Sequence, residues 1–115
     1  MPAVDDPLDR VFGALSDPTR RAILARIAGR EATVSQLVDA FNLAQPTISK
    51  HLKVLEQAGL VSRGREAQFR PVRLDPEALA GVDAWLGDYR RFWEESFERL
   101  DAYVKDLKMM DAKDE

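Results

Sequence analysis

The stretch that most restricts how this 115-residue chain can fold is "TVSQLVDAFNLAQPTISKHLKVLEQAGLV", positions 33–61. It carries two helical patterns separated by the short connection "NLA". The first opens on Thr33-x-x-Gln36, a capping box in which each side chain satisfies an orphan backbone N–H at the other's position. Leu37, Val38 and Phe41 form its apolar face. The second pattern runs over about 45–57, and Gly59 supplies the stop. With Ile48 at the centre of its buried face, Leu52 and Leu55 fall within about 40° of it at 100° per residue. Two short helices joined by about three residues, the second with polar side chains outward, make the helix-turn-helix pattern.

The outward face of that second helix needs a reason. Pro46, Lys50, Lys53 and Gln57 point away from Ile48, while Gln45, Thr47 and Ser49 lie on the flanks near the N-terminus. A major groove accepts a helix, and Gln, Ser, Thr and Lys reach base edges or phosphates there. A solvated amphipathic helix would show the same pattern, so the helix alone does not decide. The next segment, "LVSRGREAQFRPVRL", reads as a two-stranded hairpin over about 60–65 and 68–74. Its alternation is imperfect and its tip at Glu66-Ala67 lacks the glycine or asparagine of tight hairpins. Pro71 has to lie on an edge, where its missing N–H does no harm. Arg63, Arg65 and Arg70 on this ribbon can grip backbone phosphates. Arginines that keep an edge strand soluble are the plainer alternative. Helix and ribbon together favour binding to double-stranded DNA.

The net charge of −3 argues against nucleic acid only until its distribution is read. Residues 1–44 carry five basic and six acidic side chains, residues 45–74 six and two, and residues 75–115 six and twelve. A basic middle therefore sits between acidic flanks. The chain has no cysteine and one histidine. That excludes disulfides, thiolate metal sites, a catalytic thiol and a thiol redox switch. No cofactor is expected, and no nucleophile, base and carboxylate grouping points to an enzyme. His51 lies about 60° from its helix's core axis at 100° per residue. It reads as packed and hydrogen-bonded to a neighbouring element, or touching a phosphate, rather than as a metal ligand. No apolar run approaches the roughly 20 residues of a membrane span, and the acidic start is no secretory signal, so a cytoplasmic protein is expected.

Asp6-Pro7, Asp17-Pro18 and Asp75-Pro76 each predict a helix start, with Asp as N-cap and Pro at the first helical position. The first helix spans about 7–15, with Leu8, Val11, Phe12 and Leu15 on one side; the second spans about 18–28. From Pro76 to about Lys108 a single long helix is expected. Leu79, Leu86, Trp93, Leu100 and Leu107 recur every seven residues, and Val82, Tyr89, Tyr103 and Met110 form a second column. A helix of about 30 residues is about 45 Å long, more than so small a domain covers, so the seam favours a dimer interface over intramolecular packing. A ligand cleft lined by Trp85, Tyr89, Phe92 and Trp93 is a third reading. The expected organisation is a flexible 1–6, a DNA-binding domain over 7–76, a dimerisation helix over 77–108 and a disordered tail over 109–115.

The blocks "ALSDPTRRAIL" (14–24), "QPTISKHLKVLEQAGLV" (45–61), "VRLDP" (72–76) and "WLGDYRRFWEESFERL" (85–100) resemble the ArsR/SmtB family of winged helix-turn-helix repressors. The resemblance covers roughly residues 7–105. It implies a mainly α fold with a small two-stranded β-wing and a homodimer formed through the first and last helices. It also implies a repressor acting on an operator with dyad symmetry. The family's DNA-reading positions match Gln45, Thr47, Ser49 and Lys50, with Pro46 and Lys53 beside them and the wing spanning Arg63, Arg65, Gln68 and Arg70. The dimer positions implied are Leu8, Val11, Phe12, Leu79, Val82, Leu86, Tyr89, Trp93, Leu100 and Tyr103. The family's metal-binding places here read "VSQLVDAF" and "VDAWLGDYRRFWEES", without Cys or His, so metal sensing is not expected. An effector or anti-repressor protein of unidentified kind is left open, as is an interaction module that uses the aromatic last helix with weak or no DNA binding. Ala44 stands where a Ser or Thr cap is common.

Overall fold

The computed structural model describes residues 6–64 and 70–113. Its order is α1 (Pro7–Leu15), α2 (Pro18–Gly29), α3 (Val34–Phe41), α4 (Gln45–Gln57), β1 (Val61–Arg63), β2 (Val72–Leu74) and α5 (Pro76–Lys113). The chain divides into two compact units, one ending at Val82 and one beginning at Asp83.

All three Asp-Pro pairs start helices. Asp6 Oδ1 accepts from the Leu8 N–H at 2.9 Å, Asp17 Oδ2 from the Arg20 N–H at 3.0 Å and Asp75 Oδ1 from the Glu77 N–H at 3.1 Å. Each bond satisfies a donor the first helical turn leaves without a partner. The capping box of α3 closes in both directions, at 3.2 and 2.9 Å. Asn42 ends α3 in the left-handed region at φ 52°. Ala44 gives α4 no side-chain cap. At the other end of α4, Gly59 adopts φ 77°. The Gly59 N–H then reaches the Glu56 carbonyl and the Leu60 N–H the Leu55 carbonyl, both at 3.0 Å. This is the Schellman closure that only glycine enters without steric cost.

The core of the first unit is apolar throughout. Ile23, Leu37, Ile48, Leu52, Leu55, Leu60 and Val72 are fully enclosed, with Val11, Ala14, Leu24, Ile27, Ala32 and Val61 beside them. Leu79 and Val82, from the start of α5, pack against this cluster. Burying one such side chain contributes about 1.5–3 kcal/mol.

The hairpin is antiparallel, with Val61 opposite Leu74, Ser62 opposite Arg73 and Arg63 opposite Val72. Among the described residues the strands are shorter than the expected 60–65 and 68–74, of which 65, 68 and 69 lie outside the described residues. Pro71 stays outside the ladder and offers only its carbonyl, which accepts from the Gly64 N–H at 2.9 Å. Ala32 adds a one-residue bridge to β2, exchanging both bonds with Val72 at 3.2 and 2.7 Å. Glu31 and Arg73 pair beside it.

Within the second unit, α5 continues to Lys113 rather than ending near Lys108. The segment "MMDAK" contains good helix formers and neither Gly nor Pro, so nothing terminates the helix at 108. The expected tail over 109–115 is thus helical as far as 113. The unit's exposed apolar residues include Tyr89, Phe92, Phe97, Leu100, Tyr103 and Leu107.

Candidate nucleic-acid interface

The placement of α4 starts from its own amphipathic pattern. Ile48, Leu52 and Leu55 are each 0% exposed, and their burial fixes which face remains outside. That face presents Gln45, Pro46, Thr47, Lys50 and Lys53, all exposed. Ser49 is half-buried, so its hydroxyl lies at the edge of the surface rather than on it. Lys50 and Lys53 have no carboxylate partner among the described residues, which leaves their ammonium groups available to phosphate.

The hairpin adds charge next to this helix in sequence and in packing. Arg70 is exposed and Arg63 half-buried. The Arg63 Nε is enclosed and has no hydrogen-bond partner among the described residues. Arg65 and Gln68 lie outside the described residues. Arg73, on β2, is held by Glu31.

A group of residues that the sequence reading did not bring together holds α4 from behind. Arg20 donates from Nε to the Ala14 carbonyl at 2.6 Å and from Nη2 to the Gly13 carbonyl at 3.2 Å. Arg21 donates to the Leu15 carbonyl at 2.7 Å. The two arginines of "DPTRR" thus cap the last carbonyls of α1. Arg20 Nη1 lies 3.4 Å from His51 Nδ1, and Asp17 Oδ2 lies 4.0 Å from the same nitrogen. His51 is therefore packed against α2, one of the roles expected for it. The Arg20 backbone N–H is the main reason the Asp17 carboxyl is held below its ordinary value, with the Arg20 charge and, when the imidazole is protonated, the His51 charge adding to it. The usable sequence signal was a pair of arginines placed just after a helix end, where cations meet free carbonyls.

For the residues expected at a dimer interface, the structure makes one correction. Val11 is 3% exposed and is committed to the chain's own core. Leu8, Leu79, Val82 and Leu86 are half-buried, and Phe12, Tyr89, Trp93, Leu100 and Tyr103 are exposed. A cavity of about 510 Å³ in the first unit is lined by Pro7, Leu8, Val11, Ala58 and Ala78 among others, not by the aromatic residues of α5. Among the described residues no group of three or more His, Asp or Glu side chains is gathered to hold a metal ion. No described helix is long and apolar enough to cross a membrane.

The helix pair α3–α4 followed by a two-stranded hairpin defines a winged helix-turn-helix protein. Residues 17–63 match the bacterial regulatory proteins of the arsR family. The chain is 38% identical over 79 residues to the transcriptional repressor SdpR of Bacillus subtilis strain 168, covering 69% of this chain and 88% of that one. A crystal structure of an ArsR family transcriptional regulator superposes with a TM-score of 0.70 at 37% identity, over 77% of this chain and 98% of that one. A solution structure from Mycobacterium bovis, described as a homodimeric winged helix-turn-helix DNA-binding domain, superposes with a TM-score of 0.61 at 26% identity, over 84% of this chain and 95% of that one. The chain belongs to the arsR family of transcriptional regulators. The proteins it resembles are regulators and not enzymes.

Proposed function

We propose that this regulator acts as a homodimeric repressor that inserts α4 into the major groove of an operator with two-fold symmetry. The observation that carries this reading is the division of α4. One side is locked into the core by Ile48, Leu52 and Leu55. The other side presents Gln45, Thr47, Lys50 and Lys53 to solvent. Gln45 and Thr47, with Ser49 at the edge, select bases, and Pro46 lies beside them in the first turn. Lys50, Lys53, Arg63, Arg65, Gln68 and Arg70 engage the backbone. A helix with an uncapped N-terminus also favours a phosphate at that end. SdpR, with which this chain aligns over most of its length, is a repressor. The M. bovis structure of the same fold is a homodimer.

In this reading two copies meet through Phe12 and the α5 column of Leu86, Tyr89, Trp93, Leu100 and Tyr103. Leu8, Leu79 and Val82 are each partly committed to their own unit. The repressor works in the cytoplasm and does not answer to metals or thiols, because the chain has no cysteine and only one histidine. Footprinting on DNA upstream of the chain's own reading frame tests the reading. Two protected half-sites about one helical turn apart are expected.

A further inference from the structure

The turn between α1 and α2 and the half-buried flank of α4 meet at one nitrogen atom. His51 Nδ1 lies 3.4 Å from Arg20 Nη1 and 4.0 Å from Asp17 Oδ2. A guanidinium has only donors, so the contact with Arg20 requires a free lone pair on Nδ1, with the imidazole proton on Nε2. Arg20 cannot adapt freely, because Nε and Nη2 are bonded to the Ala14 and Gly13 carbonyls at the end of α1. One rigid fork thus spans α1, α2 and α4, and it meets α4 one turn beyond Thr47.

We propose that Arg20, acting through His51, is a positioning residue for the DNA-reading helix, and that protonation of His51 releases that hold and weakens operator binding. This rests on the DNA-binding reading above. Protonation places a hydrogen on Nδ1, so that Arg20 faces a like charge where it had an acceptor. Asp17 then becomes the nearest acceptor, yet its Oδ2 already caps α2 through the Arg20 N–H. Each rearrangement that satisfies the imidazolium disturbs a helix end that positions α4.

The other charged groups near this face do not take over that role. On α4 the positions one turn away, Thr47, Ile48, Val54 and Leu55, are uncharged, and the adjacent Lys50 is exposed. From α1, Arg10 borders α4 further along, beside Val54 and Gln57, and has an interaction of its own. The one charge of α3, Asp39, is exposed, and Arg63 of β1 is half-buried. The chain has one histidine, so a substitution at His51 removes its only imidazole.

The test has two arms. In the free protein at pH 8, nitrogen NMR of the imidazole is expected to show a protonated Nε2 and a bare Nδ1; a proton on Nδ1 overturns the proposal without reference to DNA. In the second arm, affinity for a duplex containing the footprinted site is measured between pH 8 and 5.5 at fixed salt, with circular dichroism confirming the fold at each pH. The wild type is expected to lose about tenfold in affinity, the size of one lost hydrogen bond to a charged group. His51→Gln keeps an acceptor but cannot titrate, and is expected to stay within about twofold across that range. Wild-type affinity that is flat, or tighter in acid, overturns the proposal. So does an equal loss in His51→Gln. Absence of a specific complex at every pH overturns the DNA-binding reading itself.

Discussion

The Leu60 N–H donates to the Leu55 carbonyl at 3.0 Å across Gly59, which closes α4 and turns the chain into the hairpin. Both leucines are fully buried, so this closure joins α4 to the core and to the hairpin. Gly59 sits at φ 77°, and a Cβ there would meet only Ala78 Cβ at 3.9 Å, an ordinary contact. The cost of substitution is therefore backbone strain alone. Gly59→Ala is expected to destabilise the fold by about 1–2 kcal/mol, measured by urea denaturation.

Ala44 offers the opposite opportunity. Its backbone has the extended conformation of an N-cap, φ −63° and ψ 148°, but its side chain makes no cap bond. Ala44→Ser is expected to stabilise by about 1 kcal/mol. The melting temperature should rise by about 4 °C for a chain of this size. An Ala44→Ser variant that melts at or below the parent temperature would mean that the α4 N-terminus has another backbone geometry.

Asp17 links stability to acid. Its carboxyl is held below the ordinary value, chiefly by the Arg20 N–H. A depressed folded-state value contributes stability that is present above the unfolded value of about 4 and is lost as pH falls through the folded one. Asp17→Asn is therefore expected to remove part of the fall in stability below about pH 4 while leaving its shape near pH 7 unchanged. Thermal melts from pH 7 to pH 2.5 measure this. Identical acid limbs for both proteins would contradict the assignment.

How much of this was legible in the residues depends on whether local chemistry determined each feature. The starts of α1, α2, α3 and α5 and the stop after α4 follow from Asp-Pro pairs, a capping box and one glycine, each acting within a few residues. The strand ends did not follow, because Pro71 takes part through its carbonyl and not in the ladder. The Ala32 bridge had no run of strand-forming residues to announce it. Val11 shows the limit of periodicity, which marks an apolar side without saying whether the chain's own core or a partner covers it. The Arg20 fork was hidden for a related reason: it joins residues 6, 7 and 31 positions apart in the chain.

The α5 column carries the dimer proposal. Trp93→Asp with Leu100→Asp puts two charges into the seam and is expected to convert a particle of about twice 13.0 kDa into a single chain of 13.0 kDa by light scattering. The first unit should keep its helical signal, since neither residue belongs to its core. A dimer that survives both substitutions would place the interface elsewhere.

The proposed function assigns affinity to Lys53 and selectivity to Gln45. Lys53→Ala is expected to weaken binding to all duplexes alike and to lower the slope of log affinity against log salt by about 0.9 for each phosphate it no longer neutralises. Gln45→Ala is expected to leave the slope in place and cost about 1–3 kcal/mol of discrimination at one base position per half-site. The most direct measurement is the salt-dependent titration of wild type, Lys53→Ala and Gln45→Ala against the footprinted duplex and a shuffled one. Lys53→Ala is predicted to bind both duplexes more weakly, and Gln45→Ala to bind only the footprinted duplex more weakly. Equal affinity of all three proteins for both duplexes would contradict the claim that the outward face of α4 reads DNA.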